Sequence, residues 1–211
     1  MKAFTLIEIA LVILITAILA GISLRFTAFS PETLYLKNFV YKLGSNVNLT
    51  KDFALSRRQV DSNKVCGYGI VIKNNSYFGY AFATSSVLEC DTLASTSPVV
   101  FAPPEQPFYT HTNGDIRQDP IEPLQVKDNF RPGLSIKISI SSPDCSEDLF
   151  RSYREIALVY YNPYGELLLL GKRFNWENIS WTDNIYLCFK YKDEERYLRI
   201  GKSGQVIFSN P

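Results

Sequence analysis

Three features of this 211-residue sequence predict an α+β fold, a long N-terminal helix whose second half packs on an antiparallel sheet. Phe4 to Leu24 reads FTLIEIALVILITAILAGISL, an apolar run interrupted only by Glu8. From Leu34 to Val60 apolar residues recur at spacings close to three and four, as on a helix with one buried face. From Gly67 onward the period becomes two, or short apolar runs, as strands require. With 46% hydrophobic and 20% charged residues, the sequence excludes a disordered chain and carries enough apolar material for a single core.

The first element spans positions 4–24. At about 1.5 Å per residue its helix would reach roughly 30 Å, the thickness of a bilayer's hydrocarbon core, so it reads as a single-pass membrane segment. Lys2 alone precedes it and no A-x-A-like cut follows, so it reads as retained and not as a secretory signal. An ionisable side chain inside such a span costs about 2.5–3.5 kcal/mol and calls for a partner or a function, which singles out Glu8. Were the chain cut after Ala3, the new amino group of Phe4 would lie one helical turn from Glu8. That amine, or a neighbouring subunit's, would then neutralise the carboxylate. The plainer alternative places Glu8 at headgroup depth, merely snorkelling.

Positions 25–62 read as an amphipathic continuation. Ser30 followed by Pro31 has the form of an N-cap and a first helical residue, so the helix either restarts there or kinks. Phe39, Val40, Leu43, Val47, Ala54 and Val60 mark the buried face, and Lys37, Lys42, Lys51 and Arg57 the opposite one. Gly44 interrupts this pattern at about 1 kcal/mol relative to alanine.

The rest, 63–211, reads as a β-rich head. Tyr68 to Lys73 and Tyr77 to Ala83 form a hairpin through Asn74-Asn75-Ser76. Further strands are expected at Leu134 to Ser141, Ile156 to Tyr161, Glu166 to Arg173, Ile185 to Tyr191, Arg196 to Ile200 and Gln205 to Phe208. Asn162-Pro163-Tyr164-Gly165 suits a type I turn. Between Thr84 and Pro132 lie seven of the eleven prolines, a long loop with short strands expected at Val99 to Phe101 and Leu124 to Val126.

Charge and residue usage narrow the chemistry. Lys plus Arg at 22 against Asp plus Glu at 21 leaves no bulk field toward nucleic acid, and one histidine removes most proton-shuttle and zinc constellations. Gly201-Lys202-Ser203 lacks the upstream glycine of a phosphate loop, and Gly67-Tyr68-Gly69 lacks the third glycine of a dinucleotide fingerprint. No catalytic constellation, metal set or cofactor site emerges. Cys66, Cys90, Cys145 and Cys188 lack C-x-x-C spacing, and in a head outside the cytoplasm they read as two disulfides. Cys66 to Cys90 with Cys145 to Cys188 is the simplest in sequence of three connectivities, and buried free thiols are the alternative.

The run Lys2-Ala3-Phe4-Thr5-Leu6-Ile7-Glu8 before an apolar stretch resembles the class III signal of type IV pilins and of type II secretion pseudopilins. Alanine stands at position 3, where that family has glycine. The resemblance implies a pilin-like fold and removal of a 1–3 leader by a prepilin peptidase between Ala3 and Phe4. It also implies N-methylation of Phe4 and use of Glu8 in filament assembly. The ending from Ile185 to Val206, with Leu158 to Glu166 before it, is similar to the last strands of H-type pseudopilins and T-type minor pilins.

On this basis the chain is expected to be a non-enzymatic minor pilin of a type IV pilus or related filament. It would be held in the cytoplasmic membrane with its head outside the cytoplasm, then built into a cell-surface or periplasmic filament. Expected partners are other pilin or pseudopilin subunits, the prepilin peptidase, an inner-membrane assembly platform and, before assembly, membrane lipid. The alternatives are a minor pseudopilin of type II secretion, a membrane-anchored binding module that never polymerises, and a minor pilin that captures DNA through Arg196, Arg199 and Lys202.

Overall fold

The computed structural model describes residues 6–26, 31–56, 59–60, 63–84, 110–112, 115–117, 127–161 and 166–209. It divides into two compact units, Met1–Tyr35 and Leu36–Pro211. Helix α1, Leu6–Phe26, belongs to the first. Helix α2, Pro31–Leu55, begins in the first and runs into the second. Proline at its first position supplies a preset φ and lacks only an N–H that would have had no partner.

Thirteen strands follow among the described residues: β1 Gln59–Val60, β2 Asn63–Lys73, β3 Ser76–Thr84, β4 Thr110–Thr112, β5 Asp115–Arg117, β6 Lys127–Asn129, β7 Leu134–Ser139, β8 Glu155–Tyr161, β9 Glu166–Lys172, β10 Trp176–Asn178, β11 Asn184–Tyr191, β12 Glu194–Gly201 and β13 Val206–Ser209. Nine build a larger sheet in the order β10-β9-β8-β2-β3-β4-β5, with β1 on β2 and β6 on β3. The other four form the sheet β13-β12-β11-β7. All pairs are antiparallel except β3 with β4.

The pilin-like α+β expectation, one long N-terminal helix over 4–62 packed on a sheet head, is overturned. Among the described residues there are two separate α-helices, of 21 and 25 residues, and strands hold more of the residues than the helices do. The amphipathic segment also stops at Leu55 and not near Ser62, because Gln59 and Val60 are taken into pairing with Lys64 and Asn63. The membrane-spanning segment at 4–24, and with it the placement in the cytoplasmic membrane, is likewise not supported. Among the described residues no helix is long and apolar enough to cross a membrane.

Within the second unit, α2 turns one stripe inward: Leu36, Phe39, Leu43, Val47 and Phe53 among others. Phe39 meets Tyr77 of β3, Phe130 and Phe189 of β11 edge-on, at centroid distances of 6.0, 5.2 and 5.9 Å. Phe53 lies 5.7 Å from Tyr68 of β2. The other face of the larger sheet is buried too, around Val71, Phe78, Tyr80, Val159 and Leu170. Burial on both faces explains why β2 and β8 read as continuous apolar runs and not as alternation. Gly69 is small for a local reason, since a Cβ there would sit 2.5 Å from the Tyr80 ring.

Candidate functional site

Two surfaces of the described molecule are built for contact. The first is α1. Every described side chain from Leu6 to Gly21 is exposed, and its large apolar residues leave 47–87% of their surface open. Thr16 turns its hydroxyl back onto the carbonyl oxygens of Val12 and Ile13, each at 2.9 Å, so it presents no polar face. Glu8 sits in the first turn, where the aligned peptide dipoles favour a carboxylate. A helix apolar on all sides is stable in water only when other surfaces cover it.

The second surface is a groove of about 370 Å³ at one end of the larger sheet, lined by Asn74, Phe150, Arg151, Ser152, Tyr153, Arg154, Arg173 and Phe174. Three turns meet there because Lys73, Glu155 and Lys172 stand side by side in the β2-β8-β9 register. Asp148 accepts from the Phe150 N–H at 3.1 Å and opens the 3-10 turn Leu149–Arg151. The Tyr153 N–H then donates to the Leu149 carbonyl at 2.9 Å, and the Arg154 N–H to the Lys172 carbonyl at 2.8 Å.

Tyr153 packs close against Gly171, where any Cβ would come within 2.4 Å of its ring. The Arg173 guanidinium stands 4.9 Å from the centroid of that ring, and its Nε is 3.2 Å from Glu177 Oε1. Burial first, then the Glu177 carboxylate, pushes the Tyr153 hydroxyl above its ordinary pKa. Phe174, at the tip between β9 and β10, is 88% exposed. Arg151 and Arg154 have no acidic partner among the described residues, and Glu155 is engaged by Lys73 at 3.3 Å. The groove thus offers two unneutralised guanidinium forks beside open aromatic faces, which suits a carboxylate carried on an apolar body.

The residues singled out in the sequence are scattered. Ala3 and Phe4 lie outside the described residues, as do the turn Asn162 to Gly165 and the expected strands at 99–101 and 124–126. Cys145 and Cys188 form a disulfide with Cα atoms 6.3 Å apart, tying the turn after β7 to β11. Cys145 adopts a φ of 50°, uncommon for a residue with a side chain. The side chains of Cys66 and Cys90 lie outside the described residues.

Arg196 and Arg199 occupy opposite sides of β12. Arg196 shares the side of the fully buried Leu198 and Ile200, and it lies 3.7 Å from Glu194. Arg199 faces the other way, while Lys202 sits in the turn that Gly204 closes onto Gly201 at 2.7 Å. Lys190 pairs with Glu195 at 2.8 Å, and this contact, with the Tyr197 hydroxyl, holds the Glu195 carboxyl below its usual range. These bases are therefore interleaved with acids and divided between two faces.

Sequence reasoning missed Arg151, Arg154, Arg173 and Phe174. The only local signal was two short runs, Phe150-Arg151-Ser152-Tyr153-Arg154 and Lys172-Arg173-Phe174, which mix cations with aromatics at turns. No protein-family model matches the chain, and no curated protein or solved structure is significantly similar to it.

Proposed function

We propose that the chain is a non-enzymatic structural subunit of a filament, of the minor pilin or pseudopilin kind, held in its polymer by α1. The observation that carries this reading is the exposure of the large apolar side chains of α1 from Leu6 to Leu19. Burying such a helix on several sides takes several neighbours, and identical helices from other copies supply them in repeat. Each fully covered Leu or Ile contributes about 1.5–3 kcal/mol, so a few residues outweigh the cost of bringing subunits together. Cleavage between Ala3 and Phe4 would add an amino group one helical turn from Glu8, a cation that its carboxylate favours.

The test is electron microscopy and sedimentation of the full chain alongside Leu11→Asp/Ile15→Asp. Wild type is expected in large assemblies, and the variant at least tenfold less so, because each buried aspartate adds several kcal/mol of desolvation. An unchanged head, read by thermal melting, shows that the loss lies in α1. A wild type that sediments as single copies, or a variant that assembles equally well, overturns the reading. In the same preparation, an N-terminal mass starting at Phe4 and one methyl heavier is expected after co-expression with a prepilin peptidase.

A further inference from the structure

We infer that the groove of Arg151, Arg154, Arg173 and Phe174 is a docking site for an acidic, proline-bearing segment from a second copy of this chain. The inference rests on the reading that copies assemble, and it adds a contact that α1 does not make. Arginine and aromatic residues without lysine are the makeup of interface hot spots, and this groove has three of each: Arg151, Arg154, Arg173, Phe150, Tyr153 and Phe174. Its volume, about 370 Å³, suits a few side chains and not a whole domain. Phe174 at 88% exposure is an anchor with nothing over it, and Arg151 and Arg154 have no acidic partner among the described residues.

The chain itself carries the complement. Gln118 to Val126 reads QDPIEPLQV, with Asp119, Glu122 and two prolines but no base. Proline-bearing segments dock on aromatic-lined grooves, and acidic ones on arginine clusters; this stretch has both properties. In an extended polyproline conformation, with three residues per turn, a peptide of this sequence would place Asp119 and Glu122 on one side, about 9 Å apart. That spacing lets each carboxylate meet a separate guanidinium.

A second copy is the better donor. In its own copy the stretch starts after β5, at one edge of the larger sheet, and ends at β6 beside β3. Arg173 and Phe174 cap the opposite side, beyond β2 and β8. A contact between unlike surfaces of identical copies also propagates head to tail, as a filament requires.

The first measurement is fluorescence anisotropy of a labelled QDPIEPLQV peptide with the full chain. Binding is expected to weaken at least tenfold in Arg151→Glu/Arg154→Glu, and several-fold in Phe174→Ala. It should also weaken for peptides carrying Asp119→Asn/Glu122→Gln or Pro120→Ala/Pro123→Ala. Equal binding to wild type and the groove variant, or to the native and proline-free peptides, overturns the inference.

The second measurement separates the copies. Arg151→Glu/Arg154→Glu and Asp119→Lys/Glu122→Lys are expected each to weaken assembly alone and to restore it when mixed. Restoration only when all four changes share one chain overturns the second-copy assignment. Peptide binding is read whether or not the chain polymerises. Peptide binding without polymer therefore removes the filament reading and leaves the groove occupied by another source, whereas polymer without peptide binding removes the groove alone.

Discussion

Helices α1 and α2 are of similar length and lie within the first 55 residues, yet they meet opposite fates. The α2 sequence alternates its apolar stripe with Lys37, Lys42, Ser45 and Asn48, so one side satisfies a core and the other satisfies water. Leu36, Leu43 and Val47 are fully buried on that stripe, and Thr50 joins them by bonding the Asn46 carbonyl at 2.7 Å. The α1 sequence has no second side, and its side chains are exposed throughout the described range. Hydrophobicity alone does not decide burial: a one-sided stripe fits a single core, whereas an all-round apolar helix needs partners on several sides.

The sharpest way to break this comparison is to truncate one apolar residue in each helix. Phe39→Ala removes a ring wedged among Tyr77, Phe130 and Phe189, and it should cost about 3–5 kcal/mol in urea denaturation. Leu14→Ala, at a residue 60% exposed, should change the stability of the unassembled chain by less than about 0.5 kcal/mol. A comparable loss at both positions would mean that α1 already has a partner surface within one copy.

A second test uses pH on the layer beneath α2. Tyr77 is completely buried, Asn46 Nδ2 donates to its hydroxyl at 3.0 Å, and burial with the nearby Asp128 charge raises its pKa from 10.0 to about 12. The folded value lies above the unfolded one, so the unfolded chain loses this proton first. The contribution is complete below pH 10 and is lost as pH rises through 12, by about 2–3 kcal/mol. Burial also raises Tyr80 and Tyr160, so stability should fall steeply in alkali. Tyr77→Phe should make that fall shallower, measured as the denaturation midpoint between pH 9 and 12. An unchanged slope would place the Tyr77 hydroxyl in water and the α2 layer ajar.

Much of the second unit was legible in the sequence. The expected strands at Tyr77 to Ala83, Ile156 to Tyr161, Glu166 to Arg173 and Ile185 to Tyr191 differ from β3, β8, β9 and β11 by a residue or so at each end. They were readable because β-branched and aromatic runs bounded by Asn, Pro and Gly carry their own punctuation. The division of the helix was less legible, since Ser30-Pro31 permits either a kink or a new start. The groove was hardly legible at all. Asn74, Arg151 and Phe174 belong to three turns that become neighbours only through pairing of β2 with β8 and β8 with β9, and no local pattern encodes that register. The two sides of β12 show the reverse case, because Arg196 and Arg199 are close in sequence yet separated by the pleat.

The smallest expected effect is also the most discriminating, because both helices carry a mid-helix glycine. In free helices each Gly→Ala change should stabilise by about 1 kcal/mol, and by sequence Gly44 reads as a flaw in α2. A Cβ at Gly44, however, would stand 2.6 Å from Phe208 and 3.1 Å from Leu198, so the glycine is where α2 meets the smaller sheet. At Gly21 a Cβ meets nothing within 4 Å. Gly21→Ala should therefore raise helix content in the unassembled chain by the full propensity gain. In Gly44→Ala the overpacking cost, about 1–3 kcal/mol, offsets that gain and leaves a net loss near 1 kcal/mol. Circular dichroism and thermal melting of the two variants read the opposite signs directly. Stabilisation by both would mean that the Phe208 ring swings away freely, and that α2 is held by its Leu36–Leu43 stripe without the close approach at Gly44.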